Sequence, residues 1–119
     1  MELLKGPLPL SEAEKVFQSQ PRFSIVYLLF LKTRVGFLEL KKLLGLTPGN
    51  LDHHIKQLEQ VGLVKSRHII SWRPLVVIEI TPFGSDAFRT YLLKLKTLLE
   101  NIPQAMLQDK EVGSETQGK

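Results

Sequence analysis

The sequence predicts a mainly α fold with one small β-hairpin: a winged helix-turn-helix with an N-terminal helix before it and a long helix after it. Three observations predict it. First, Leu40, Leu43 and Leu44 recur at helical spacing up to Gly45, and Leu51, Ile55 and Leu58 recur at i, i+4 and i+7 after Thr47-Pro48. Two helices therefore meet across the three-residue turn Gly45-Leu46-Thr47. Second, Leu63–Ile70 and Leu75–Thr81 are rich in β-branched residues and flank Ser71-Trp72-Arg73-Pro74, which reads as a hairpin tip. Third, Pro82 to about Ile102 places Phe88, Tyr91, Leu95, Leu98 and Ile102 at alternating spacings of three and four, widened by Leu92 and Leu99.

Composition bounds what such a chain does. Its 119 residues suit one domain, and 43% hydrophobic with 24% charged residues is enough apolar content for a packed core. A net charge of +4 favours polyanionic partners. Cysteine is absent, which removes disulfides and thiolate metal sites and fits an intracellular setting. The most apolar run, Ile25–Leu31, is too short for a bilayer core of ~30 Å, and the N-terminus lacks a signal-peptide pattern, so a soluble, cytoplasmic protein without membrane contact is expected.

In chain order, residues 1–10 read as an N-terminal arm, 11–103 as the winged helix-turn-helix domain with its long C-terminal helix over 82–103, and 104–119 as a flexible polar tail. Ser11 through Glu14 has capping-box spacing and starts a helix ending near Gln20. Pro21 suits the first turn of a second helix, whose residues Phe23–Lys32 are apolar nearly all round and predict a central buried element. Thr33–Gly36 reads as a turn. Thr47 caps the next-but-one helix with Pro48 at its first position, Gly62 stops it, and Thr81-Pro82 repeats the cap-and-proline start.

With Leu51, Ile55 and Leu58 facing the core, rotation by 100° per residue turns Gly49, Asn50, His53, Lys56, Gln57 and Gln60 outward. Such amide, imidazole and ammonium groups suit the major groove, which admits a helix and whose base edges distinguish all four pairs. Gly49 would let the backbone approach phosphate at the positive helix N-terminus. Between Leu46 and Pro74 the cations Lys56, Lys65, Arg67 and Arg73 outnumber the acids Asp52 and Glu59. His53, His54 and His68 lie in the same stretch, where nearby phosphate would favour their charged forms and tighten binding at lower pH. His54 borders the core face, so it has two readings, base contact or a bond to the backbone.

Adjacent histidines on a helix point about 100° apart, so His53 and His54 are poorly disposed to share a metal. No phosphate-cradling glycine loop or nucleophile arrangement is present, so no catalytic role, cofactor or metal is expected. In the hairpin, Lys65, Arg67, Trp72 and Arg73 suit sugar-phosphate contact or entry into the minor groove. Trp72 equally suits packing beneath the hairpin or on a partner. Arg22 suits a phosphate contact or an internal ion pair.

The run from Gly45 to Val64, GLTPGNLDHHIKQLEQVGLV, together with Pro21-Arg22-Phe23 and Ile80-Thr81-Pro82-Phe83-Gly84, resembles the MarR-like and ArsR-like winged-helix regulators of bacteria and archaea, in a small stand-alone subgroup. That resemblance covers about Pro21 to Ile102. It implies a homodimer joined through terminal helices, here Phe88, Tyr91, Leu92, Leu95, Leu98, Leu99 and Ile102, with Thr47, Gly49, Asn50, His53 and Gln57 on duplex DNA at a pseudo-palindromic operator. Lack of cysteine separates the chain from the metal-sensing branch, and no particular small-molecule effector is indicated. The leading expectation is a homodimeric transcriptional regulator acting as a repressor. A protein-interaction winged helix is the rival, and its mark would be an apolar outer face on Thr47–Val61. RNA is disfavoured because an A-form major groove is too narrow for a helix to read.

Overall fold

A computed structural model describes residues 9–108, in two compact units, residues 9–91 and residues 92–108. The arm expected over 1–8 and the tail beyond 108 lie outside the described residues. The elements run α1 (Glu12–Lys15), a 3-10 turn (Val16–Gln18), α2 (Gln20–Lys32), β1 (Arg34–Gly36), α3 (Phe37–Leu44), α4 (Pro48–Gln60), β2 (Val64–Ile69), β3 (Leu75–Ile80) and α5 (Pro82–Glu100). The three strands form one antiparallel sheet in the order β1-β3-β2.

The capping box at Ser11 forms, with the Ser11 hydroxyl accepting from the Glu14 amide and the Glu14 carboxylate accepting from the Ser11 amide. The helix it starts is shorter than expected. Ser19, extended at φ −84° and ψ 127°, serves as a second N-cap for α2, so a helix reaching Gln20 has no room. In α2, Ile25, Val26 and Leu29 are fully buried, while Tyr27 and Leu31 are exposed, so the helix is buried on one side only. Within α3, Leu40 is buried but Leu43 is exposed.

Thr33–Gly36, expected as a turn, contains β1. Thr33 takes φ 75° and ψ −47°, a region that costs a β-branched residue on the order of 1–3 kcal/mol. Bonds on both sides hold it there: its amide donates to the Leu29 carbonyl at 2.6 Å, and its carbonyl accepts from the Ile80 amide at 2.9 Å. The reversal lets Arg34, Val35 and Gly36 pair with Glu79, Ile78 and Val77.

Register divides the sheet into two faces. Val35, Val64 and Ile78 point into the core with Leu51, Ile55, Leu58 and Leu63 of the helical side. Arg34, Lys65 and Glu79 share the other face, where the outer strands place both cations opposite the central carboxylate. At the base of α5 an aromatic cluster completes the core: the Phe88 ring lies 5.1 Å from Phe17, 5.2 Å from Phe23 and 5.3 Å from Phe30, and Tyr91 lies 5.3 Å from Phe17. Phe88 and Tyr91, expected at a dimer interface, are therefore consumed by the protomer's own core. An amphipathic stripe says which side of a helix is covered but not by which copy of the chain.

In the unit of residues 92–108, α5 ends at Glu100 and residues 104–108 are helical again, so the tail expected from residue 104 begins with ordered backbone. Leu93 and Leu99 are exposed on α5, and Leu92, Leu95, Leu98 and Ile102 are half-buried. Among the described residues, no helix is long and apolar enough to cross a membrane.

Candidate nucleic-acid interface

The joint between α3 and α4 is made by Gly45, whose φ of 64° and ψ of 31° are left-handed and thus strained for any residue with a Cβ. Two residues later the Thr47 hydroxyl accepts from the Asn50 amide at 3.1 Å, and Pro48 occupies the first helical position. These contacts set the angle at which α4 leaves the core. Its buried line is Leu51, Ile55 and Leu58, as the spacing predicts. Thr47, Gly49, Asn50, Asp52, His53, Lys56 and Gln60 are exposed.

Gln57, expected on this face, and His54, read either as a base contact or as bonding the backbone, both point elsewhere. Gln57 and His54 are half-buried and turned towards α2, where the Arg22 guanidinium donates to the Gln57 side-chain oxygen and approaches His54 Nδ1 at 3.5 Å. Arg22 Nε also donates to the Val16 carbonyl at 3.2 Å. Arg22 thus binds neutral partners and ties α4 to α2. A guanidinium only donates, so His54 Nδ1 accepts and its imidazole is neutral in this contact. Burial, then the charges of Arg22 and the neighbouring His53, hold the His54 pKa below the ordinary histidine value.

The sign of the resulting pH effect follows directly. Between the depressed folded value and the ordinary value of about 6.5, the unfolded chain binds more protons than the folded one. Stability is therefore greatest above about pH 6.5, where the group is neutral in both states, and falls as pH drops through that window. An NMR titration is expected to place the His54 midpoint below 6.5, and Arg22→Ala to move it upwards. In the protein without DNA, His54 is thus held towards its neutral form.

Lys56 pairs with Asp52 at 2.6 Å on the exposed side, and Glu59 accepts from the Ser66 amide at 3.1 Å, which fixes α4 to the first strand of the hairpin. A groove of about 580 Å³ lies between them, lined by Asp52, Lys56, Glu59, Ser66 and His68 over an apolar floor of Ile55 and Ile78. On the outer face of the sheet, Glu79 is buried beneath three cations: Arg67 at 3.0 Å, Arg34 at 3.1 Å and Lys65 at 3.6 Å. Arg67's hydrogen bond, helped by the charges of Arg34 and Lys65, keeps the Glu79 carboxyl below the usual range. One carboxylate orders three cations whose side chains stay more than half exposed. Arg34 was not expected here, because a three-residue strand carries too little alternation to reveal itself in sequence.

Trp72, left with several readings by the sequence, does not pack beneath the hairpin, being 90% exposed at its tip. Arg73 is exposed beside it. The His53 and His54 rings lie 5.7 Å apart on differently directed faces, and among the described residues no cluster of metal-ligating side chains forms.

Gly49 stands in open space, with nothing within 4 Å of the position a Cβ would take. The protomer has no steric need of glycine there, whereas a phosphate backbone approaching the α4 N-terminus would. Gly49→Ala is expected to leave the melting temperature unchanged or slightly higher while weakening duplex binding several-fold, measured by thermal denaturation and by fluorescence anisotropy.

Comparison with known proteins agrees with this geometry. The winged helix DNA-binding domain family matches residues 22–99. An uncharacterised protein of Methanocaldococcus jannaschii is 39% identical over 89 residues, 74% of this chain and 97% of its own length. The structure of a transcriptional regulator homologue from Pyrococcus horikoshii superposes with a TM-score of 0.70 at 38% identity, covering 72% of this chain and 86% of that one. Two more distant structures share the fold: YusO of Bacillus subtilis (TM-score 0.70, 16% identity, 90% of this chain and 82% of that one) and a MarR mutant of E. coli (TM-score 0.64, 15% identity, 90% and 85%). With its helix-turn-helix, its hairpin and its match over 22–99, this chain belongs to the winged helix DNA-binding domain family of transcriptional regulators and has a MarR-like fold.

Proposed function

We propose that the protein regulates transcription by binding duplex DNA sequence-specifically as a homodimer, with α4 in the major groove and the β2–β3 hairpin alongside. The observation that carries this reading is the outer face of α4, where Asn50 and His53 are exposed beside a hairpin that offers Lys65, Arg67 and Arg73 against the single acid Glu79. Asn makes paired hydrogen bonds to adenine, and the cations neutralise phosphates and fix register. A protein-docking winged helix would present an apolar outer face there, and Asp52, His53, Lys56 and Gln60 are polar. Gln57 and His54 act as positioning residues through Arg22, and Thr47 and Gly49 meet phosphate at the helix N-terminus.

Dimerisation rests on residues beyond the aromatic cluster. Leu92, Leu95, Leu98, Leu99 and Ile102 form the remaining stripe of α5 and the segment after it, and Leu93 and Leu99 are more than half exposed. A two-fold dimer reads a pseudo-palindromic operator with half-sites ~34–36 Å apart, and a dimer seated on a promoter represses by occupying it. Selection of bound fragments from random duplex DNA, with light scattering at micromolar concentration, tests the reading. The expected results are an enriched inverted repeat and a dimer mass. No enrichment would refute sequence-specific binding, and a monomer mass would refute the two-fold arrangement.

A further inference from the structure

The hairpin has two chemically distinct parts. Its base is the cationic collar of Arg34, Lys65 and Arg67 around Glu79. Its tip is apolar: Ile70 is 91% and Trp72 is 90% exposed, flanked by the half-exposed Ile69 and Leu75. The tip is also shaped. The Ser71 hydroxyl accepts from the Arg73 amide at 3.2 Å and donates to the Arg73 carbonyl at 3.1 Å, closing a small ring with Trp72 at its apex. Pro74 confines Arg73 to extended backbone. A large apolar pair held in water at the end of a cationic arm suits an apolar slot walled by negative charge.

We propose that Ile70 and Trp72 form a wedge that enters the DNA minor groove, partly unstacks a base step and bends the duplex. This inference rests on the DNA-binding reading above and adds a mechanism to it. The dimensions agree: Arg67 stands three residues, about 10 Å of strand, behind Ile70, and a minor groove is ~7.5 Å deep. With the tip at the groove floor, Arg67 stands at the level of the phosphates on its rim, while Arg73, next to Trp72 in the chain, stays at the tip itself. Apolar side chains of this kind open base steps by stacking in place of a base, and the bend brings more backbone within reach of the protein's cations. Pyrimidine–purine steps open most easily, so the wedge gives the protein sequence preference at a step that no polar side chain reads.

Trp72 is the only tryptophan in the chain, so its emission reports the tip directly. The experiment uses the full chain and a selected duplex labelled at both ends with a donor and an acceptor dye. With wild-type protein, Trp72 emission is expected to be quenched and shielded from acrylamide on binding, and the end-to-end energy transfer to report a bend of about 20–90°. Trp72→Ala is expected to keep the melting temperature, lose the bend and bind about tenfold more weakly, while Trp72→Phe restores most of the bend. Unchanged emission at saturating duplex, or an equal bend from Trp72→Ala, would overturn the wedge and leave DNA binding intact. Emission altered by anionic phosphatidylserine vesicles but not by DNA would assign the tip to a lipid surface and overturn the wedge. Absence of any duplex binding by wild-type protein would overturn the DNA-binding reading and the wedge with it.

Discussion

Replacing Asn50 and His53 together with alanine is expected to weaken binding to a selected duplex by roughly a hundredfold or more while leaving the melting temperature unchanged. The two side chains are exposed on the α4 face proposed to read bases, and the Asn50 side-chain amide makes no hydrogen bond among the described residues. Nothing in the protomer therefore depends on it. The cap that starts α4 uses the Asn50 main-chain N–H and the Thr47 hydroxyl, and both survive the change. On DNA, a well-placed base contact carries about 1–3 kcal/mol of discrimination, so two contacts reach a hundredfold. The Asn50 amide carries no charge, so an Asn50→Ala single variant should retain the wild-type salt slope. Equilibrium anisotropy titrations of wild-type and variant protein check this, and equal affinities would show that α4 does not read bases.

Gly84→Ala is expected to destabilise the fold by about 3 kcal/mol, which lowers Tm by about 10–20 °C. Gly84 lies in the first turn of α5, where the backbone of Leu63 passes directly over it. A Cβ there would collide with the Leu63 carbonyl oxygen, lie 2.9 Å from its carbonyl carbon and 3.1 Å from Ile80 Cγ1. The obstacle is backbone, and it cannot rotate away. Thr81 fixes the close approach from three directions: its hydroxyl accepts from the Gly84 amide at 2.8 Å and donates to the Gly62 carbonyl at 2.6 Å, and its own amide donates to Leu63 at 3.0 Å. Moving α5 to admit a methyl would break this junction between the end of α4, the hairpin and α5. Differential scanning calorimetry checks the effect, with Gly49→Ala as the control in which the same substitution meets open space. An unchanged Tm would mean that α5 is not anchored at this point.

Local signals in the sequence located the helix-turn-helix well, because its boundaries are set by residues acting on their immediate neighbours. Thr47 and Pro48 start α4, Gly45 and Gly62 end the two helices, and the Leu51, Ile55 and Leu58 line fixes which side is buried. The hairpin was legible for the same reason, from β-branched runs on either side of a turn. Long-range contacts were not. β1 is three residues long and exists because β3 pairs with it. The Arg22 contacts with His54 and Gln57 span 32 and 35 residues, and they hold half-buried against α2 two side chains, of which helical rotation alone places Gln57 outward and His54 beside the core face. Glu79 sits among apolar strand residues, and only the register places Arg34 and Lys65 opposite it. The same limit applies to Phe88 and Tyr91, whose apolar character is plain but whose partners, Phe17, Phe23 and Phe30, lie about 60–70 residues earlier in the chain.

The central claim is that α4 and the cationic hairpin together grip duplex DNA, and its most direct test is the salt dependence of affinity for the selected duplex. With about three phosphates neutralised by each protomer of a dimer, log affinity against log salt should fall with a slope of roughly −5 between about 50 and 200 mM. A flat response over that range would contradict it.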